Sequence, residues 1–232
     1  MSAGRSSSKD KLSAVDMALH EIRRLILTGT LPPGKPFVTQ TIADQLGLSH
    51  VPIREALHQL EAQGLVSLSP SRSAVVTPLR LEDLRSIYRM RLWIEPQLAA
   101  LSAPHRTSVD LARLEDEISE TFRRPMTDDN WHSHAEFHRQ FVLPAAKIWD
   151  MRILHVLWDA SERFTRLAFD PVNAPDTTIE YNRQRHVELL EAARTRDPSQ
   201  VRRTLKAHLE ENEAVARQRL TALFSDVEAT PG

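Results

Sequence analysis

Four histidines in the second half of the chain stand at spacings that suit metal binding. His134 and His138 are four residues apart, so on a helix their imidazoles share one face, about 40° from each other. His186 and His208 fall on two later helical stretches. His186 follows Asn182 by four and shares a face with Leu189 and Leu190; His208 shares one with Val201, Leu205 and Leu209. Two imidazoles on one helix, faced by one from each of two others, offer nitrogen donors to a divalent metal ion such as Zn²⁺ or Ni²⁺. The competing reading is a set of core histidines, with His134 on the surface beside His132. His20, His58, His105, His132 and His155 have no spacing partner. The chain has no cysteine, which excludes disulfides and thiolate metal sites.

A second set of residues, in the first half, suits nucleic acid. Arg54 stands in the first turn of a short helix, and its planar fork fits guanine O6/N7 or a phosphate. The competing reading is a solvated arginine paired with Glu55 or Glu61. Ser49 and His50 open the same helix, where unpaired N–H groups attract phosphate. Thr39 and Gln40 open the helix before it, within reach of the DNA backbone or a base. Arg72 lies at the tip of a later ribbon and suits a minor groove.

The elements that must position these groups follow from periodicity and breakers. Thr39 to Leu46 reads as a helix with Ile42, Ala43 and Leu46 on one face, ended by Gly47. Leu48-Ser49 makes the turn. The second helix has Pro52 near its start, a buried stripe of Ile53, Ala56, Leu57 and Leu60, and Gly64 at its close; Arg54, His58 and Gln59 project away. That is the helix-turn-helix layout, which sets its second helix into a DNA major groove. Before it, Lys11 to Leu27 carries Val15, Leu19, Ile22 and Ile26 at helical spacing. After it, Leu65–Leu68 and Ala74–Thr77 read as two strands of a small β-wing. Residues 11–77 thus form a winged helix-turn-helix domain, behind a disordered tail at 1–10 and ahead of a linker at 78–81.

Beyond the linker no strand-period stretch occurs. Leu81 to Leu101 is helical with a kink expected at Pro96. Further helices are expected at 108–122, 127–142, 145–168, 177–195 and 198–224, separated by Pro104, Pro125, Pro144, Pro171–Pro175 and Pro198. Residues 82–225 form an all-helical domain of six or seven helices, followed by a tail at 226–232. The fold class is mainly α. Trp93, Trp131, Trp149 and Trp158 are read as core or dimer-interface residues.

A hydrophobic fraction of 41% with 26% charged residues describes a globular chain. The net charge of −1 hides an asymmetry: residues 1–80 hold 9 Lys/Arg against 6 Asp/Glu, and the remainder holds 21 against 25. A basic small module joined to an acidic larger one suits DNA binding by the first alone. With no apolar run of membrane-spanning length and no signal-peptide core near Met1, a cytoplasmic protein without membrane contact is expected.

The order of these elements resembles the GntR family of bacterial transcription regulators, in the FadR-like branch whose effector domain is called FCD. The family's DNA-binding signature runs L-x-P-G, then L-A-x-x-L-G-V-S-R-x-P-V-R-E-A-L-x-x-L-x-x-x-G-L-V. Here it stands as Leu31-Pro-Pro-Gly34, Ile42-Ala-Asp-Gln-Leu-Gly-Leu-Ser-His-Val-Pro-Ile-Arg-Glu-Ala-Leu57, Leu60 and Gly64-Leu-Val66. Arg91-Leu-Trp-Ile-Glu95 resembles an Arg/Glu pair in the family's first effector helix. His134-Ala-Glu-Phe-His138 resembles its D-x-x-F-H, with His186 and His208 where two further histidines belong. The resemblance implies a homodimer bound to double-stranded operator DNA, controlled by a small carboxylic acid that sits near a metal held by His134, His138, His186 and His208. Arg91 is the fixed cation expected to meet the acid's carboxylate, an ion pair with Glu95 being its alternative, and Asn182 is the second expected effector contact. Four departures stand out: His50 replaces a family arginine, Gln40 another, Ser73 the wing-tip glycine, and His134 the first-ligand aspartate. An all-nitrogen set favours Zn²⁺, Ni²⁺ or Cu²⁺ over Mn²⁺.

The leading expectation is a metabolite-responsive regulator, acting as a repressor. One alternative is a metal-responsive regulator with no organic effector. A helical metallohydrolase is the remote third: His134-Ala-Glu-Phe-His138 has Ala135 where a zinc protease of the H-E-x-x-H type has its general base, and Glu136 faces away from His134.

Overall fold

The computed structural model describes residues 13–69, 73–124, 128–168 and 176–228. The expected tail at 1–10, the last residues of the chain and Arg72 lie outside them. The chain divides into two compact units, Met1–Pro78 and Leu79–Gly232.

The first unit begins with α1 (Ala14–Leu27), three residues later than the periodicity suggested. Ser13 sets that start. Its hydroxyl accepts the Asp16 N–H at 3.1 Å while the Asp16 carboxylate accepts the Ser13 N–H at 3.2 Å, a reciprocal cap. The strand β1 (Pro36–Val38) runs directly into α2 (Thr39–Leu46), which is followed by α3 (His50–Ala62). Gly47 at φ +63° and Gly64 at φ +73° end the two helices. In each case the next residue's N–H returns to a carbonyl five positions back, Leu48 to Ala43 at 3.0 Å and Leu65 to Leu60 at 2.9 Å. Any side chain at these glycines would have to take the left-handed region.

The wing is three-stranded, where two strands were expected. β1 and β2 (Val66–Leu68) both pair antiparallel with the central β3 (Ser73–Val76), with Phe37 opposite Ala74 and Ser67 opposite Val75. Three residues after a Pro-Pro-Gly turn carry no readable period, and β1 exists only through its pairing with a strand nearly forty residues away. Ile22, Ile26, Ile53, Leu57, Leu60, Leu65 and Val76 close the core beneath.

The second unit is all-helical among the described residues: α4 (Leu81–Ser102), a 3₁₀ turn (Ala103–His105), α5 (Ser108–Thr121), α6 (Asp128–Val142), α7 (Ile148–Ala168), α8 (Asp176–Thr195) and α9 (Pro198–Glu228). α4 continues through Pro96 without a break. α7 starts at Ile148 instead of 145 because the Asp150 carboxylate takes the Lys147 N–H at 2.8 Å. α9 runs past 224 into the expected tail. α9 lies along α4 and also packs on α7 and α8, while α5 packs on α6 and α8. Leu114, Phe137, Phe141, Leu154, Leu189, Leu205 and Leu209 fill the main core, and Leu84, Tyr88, Phe164 and Leu220 a second.

Two polar contacts fix α6, the helix that carries the histidine pair. The Ser102 hydroxyl donates to the Val142 carbonyl at 2.8 Å. The Arg106 guanidinium, 2% exposed, donates to the carbonyls of Gln140 and Phe141, a cation set on a helix C-terminus. Trp93 and Trp149 depart from the core reading, at 64% and 67% exposed. No helix among the described residues is long and apolar enough to cross a membrane.

Candidate metal centre and nucleic-acid interface

On the outer face of α3 the predicted DNA-facing residues stand in solvent. Ser49 is the N-cap, extended at φ −72° and ψ 166°, and its hydroxyl makes no bond to the helix it precedes. His50 and Arg54 are exposed, and Arg54 has no ion-pair partner among the described residues. Of the two expected rivals, Glu61 is otherwise disposed: it accepts the Leu68 N–H at 2.9 Å and lies 3.6 Å from His58. Gln40, also exposed, donates to Asp44 at 2.6 Å. Thr39 is half-buried at the start of α2. Ser73 sits within β3 opposite Val38, its carbonyl accepting the Ser69 N–H, so it belongs to the ladder rather than the tip. Val51 was not singled out from sequence, yet at 65% exposed it stands on the same face as Arg54. Only its burial, not its type, marks it.

In the helical unit the four histidines converge from α6, α8 and α9. One ring nitrogen from each of His134, His138 and His186 falls within 4.8 Å of the others. His208 lies beside this trio, its ring 4.9 Å from that of His186 and 5.2 Å from that of His138. His138, His186 and His208 are 5%, 4% and 2% exposed, and His134 is half-buried. The Nδ1–H of His186 donates to the Asn182 carbonyl at 2.8 Å, which leaves its Nε2 with a lone pair. That Nε2, both ring nitrogens of His138 and Nδ1 of His208 are buried without hydrogen-bond partners. The other nitrogen of His208 meets the Asn212 amide at 3.1 Å.

Burial first, and then neighbouring imidazoles and arginines, hold His134, His138 and His208 well below the usual histidine range. Burial also pushes His186 down to about 4, against the opposing pull of the Asn182 carbonyl. Neutral imidazoles with orphaned buried lone pairs are what a divalent cation requires of its ligands, and the residues fit one.

The cluster opens on a cavity at the surface of the helical unit. Trp131, His134, Asn182, His186 and His208 are in its wall. Arg91 is not. Its fork closes on Glu95 at 2.5 and 3.3 Å and on the Ser161 hydroxyl at 3.0 Å, all within the protein interior. The ion-pair alternative is thus the arrangement present, because spacing of four on α4 places the carboxylate nearer than any ligand. The cation in the cavity wall is Arg185, which sequence reasoning passed over because nothing in its neighbourhood forms a motif. Glu136 is taken up by Arg139 and Gln140 on its own helix, away from any role as a base.

Comparison with known proteins agrees with this division of labour. Residues 14–76 match the bacterial regulatory proteins of the gntR family, and residues 86–211, more than half of the chain, match the FCD domain. The HTH-type transcriptional regulator BphR of Paraburkholderia xenovorans is 26% identical over 215 residues, covering 89% of this chain and 86% of that protein. The HTH-type transcriptional repressor RspR of Escherichia coli is 25% identical over 202 residues, covering 85% and 86%. The solved structure of E. coli McbR/YncC shares the fold, with a TM-score of 0.77 at 22% identity over 90% of this chain and 100% of that one. Both families and relatives are transcriptional regulators and not enzymes. The winged unit that exposes Arg54 and the helical unit that encloses the histidines are therefore parts of one DNA-binding transcription regulator, and the chain belongs to the GntR family in the branch that carries an FCD effector domain.

Proposed function

We propose that the protein is a homodimeric, metabolite-controlled repressor acting in the cytoplasm, and that a small organic acid bound beside a divalent metal ion sets its affinity for operator DNA. The observation that carries this reading is the group of neutral, buried imidazoles opening on a cavity. His134, His138 and His186 hold the ion, with His208 beside them; the all-nitrogen set favours Zn²⁺ or Ni²⁺. Such an ion would supply positive charge beside a bound anion.

Residues 11–77 work as the DNA reader and 82–225 as receptor and dimeriser, joined by the linker at 78–81. Arg54 reads a base edge or phosphate, while Ser49 and His50 meet phosphate at the α3 N-terminus. Thr39, Gln40, Arg72 and Ser73 contribute to the backbone footprint. In support of the dimer, α4 exposes Trp93 and Leu101, and α7 exposes Ile148, Trp149 and Val156, large apolar groups that a second copy of the chain would cover. Repression is supported by the relative RspR, a repressor. The effector releases DNA only if it binds the DNA-free protein more tightly than the DNA-bound one.

The test is operator binding, on DNA selected by the protein from a random pool, with a panel of carboxylic acids before and after metal removal by chelator. Acid-induced release that depends on metal, and that His186→Ala abolishes, is the expected result. Release that survives full metal removal would defeat the metal-assisted version. Insensitivity to every acid, with sensitivity to metal alone, favours the metal-responsive alternative.

A further inference from the structure

At the mouth of the cavity the chain displays a carboxylate already caught. Arg185 and Tyr181, one turn apart on α8, both hold Glu211 of α9: Arg185 Nη2 lies 2.5 Å from one carboxylate oxygen, and the Tyr181 hydroxyl donates to the other. All three line the cavity wall. One guanidinium nitrogen and a phenol meet the two oxygens of one carboxylate, while Arg185 Nη1 lies 3.6 Å from Glu188; charge-assisted bonds of this kind are how a protein recognises a carboxylic acid. Among the described residues of that wall, Arg185 is the one Lys or Arg and Glu211 the one Asp or Glu.

We infer that Arg185 and Tyr181 form the effector's carboxylate clamp, that Glu211 is its built-in occupant, and that the effector is a carboxylic acid with a flat apolar body. The inference rests on the acid-effector reading above and assigns that acid's class and anchor. Two observations select the body. Phe122 and Trp131 are in the wall, their rings T-shaped to a cluster imidazole at 5.3 and 5.5 Å and Arg166 lying over the Trp131 ring, and Ile179 and Val215 add apolar surface. A two- or three-carbon hydroxy acid would leave most of that surface uncovered. Moreover, the Arg185–Glu211 pair is 24% and 30% exposed, and a pair so wetted contributes little. Exchange of Glu211 for another carboxylate is then nearly even in electrostatic terms, so the apolar body decides which acid wins. The exchange frees Glu211, and with it a tie between α8 and α9.

Calorimetry on the full chain tests this with four probes: phenylacetate, its neutral analogue phenylacetamide, acetate and lactate. Phenylacetate should bind at least about tenfold more tightly than acetate or lactate, and phenylacetamide should fail. Arg185→Gln should weaken phenylacetate about tenfold, Arg185→Lys less, and Glu211→Gln should tighten it several-fold. Thermal melts of each variant separate lost binding from lost folding. Lactate bound as tightly as phenylacetate, or Arg185→Gln without effect in a folded protein, overturns the clamp and leaves the acid-effector reading standing. Unchanged affinity in Glu211→Gln overturns the exchange. Failure of every acid to bind overturns both readings together.

Discussion

In the winged unit the enclosed side chains among the described residues, from Ala18 to Val76, are apolar, and the charged side chains are exposed or, like Glu21, Arg23 and Arg24, half-buried. In the helical unit Arg91, Glu95, Arg106, His138, His186 and His208 are all enclosed. The first unit can change what it reads by exchanging exposed residues, at little risk to its fold. In the second, chemistry and stability share the same side chains, so what binds there is felt by the whole domain. Four experiments bear on that contrast.

The largest effect should come from Glu95→Ala, which strands the Arg91 guanidinium at 5% exposure. Breaking one side of such a pair costs about 3–5 kcal/mol, read as a lowered urea midpoint. A cost below about 1 kcal/mol would break the comparison, since that is the range of an exposed pair. Next, chelator treatment should lower the melting of the helical unit. At a hundredfold excess of metal over its Kd the loss is about 2.7 kcal/mol, and His186→Ala should remove the chelator's effect. Arg54→Ala tests the other unit: operator affinity should fall by about 1–3 kcal/mol and the salt slope by about 1, while stability changes by less than about 0.5 kcal/mol.

The smallest effect comes from a device both units share. The reciprocal cap of Ser13 with Asp16 on α1 recurs as Thr107 with Asp110 on α5. The Thr107 backbone N–H, at 2.8 Å, and its hydroxyl hold the Asp110 carboxyl below the usual carboxylate range. A carboxyl lowered on folding stabilises above its unfolded pKa, and that contribution is lost as pH falls through the folded value. Asp110→Asn should therefore cost about 0.5 kcal/mol at pH 7 and progressively less below about pH 4. A cost that persists at acid pH would mean that the carboxylate's charge is not what caps α5.

What was legible in the sequence was local. Gly47 and Gly64 end helices by backbone conformation alone, so α2 was found at its observed bounds and α3 was closed at the right glycine. Ile53, Ala56, Leu57 and Leu60 followed from a period of one helix. β1 was missed because its partner is remote, and the α7 start because a single Asp150 contact outweighs periodicity. At the sensor, spacing on α6 and family likeness found all four histidines, but not that His208 meets Asn212 and stands beside the other three. Arg185, Tyr181 and Glu211 were invisible for the same reason as β1: their meaning lies in two helices coming together. For Arg91 the sequence left an effector carboxylate and Glu95 as alternatives, because a pattern of type and spacing does not say whether a cation is already satisfied.

The bond from His186 to residue 182 is made to the backbone carbonyl, and every amino acid has one. Asn182 thus serves two ends, its main chain fixing which imidazole nitrogen is bare while the residue lines the cavity. Substitution there leaves the imidazole's tautomer untouched while reshaping the wall. Position 182 is accordingly a place where the wall of the cavity can change, one residue at a time, while the bare Nε2 of His186 stays where it is.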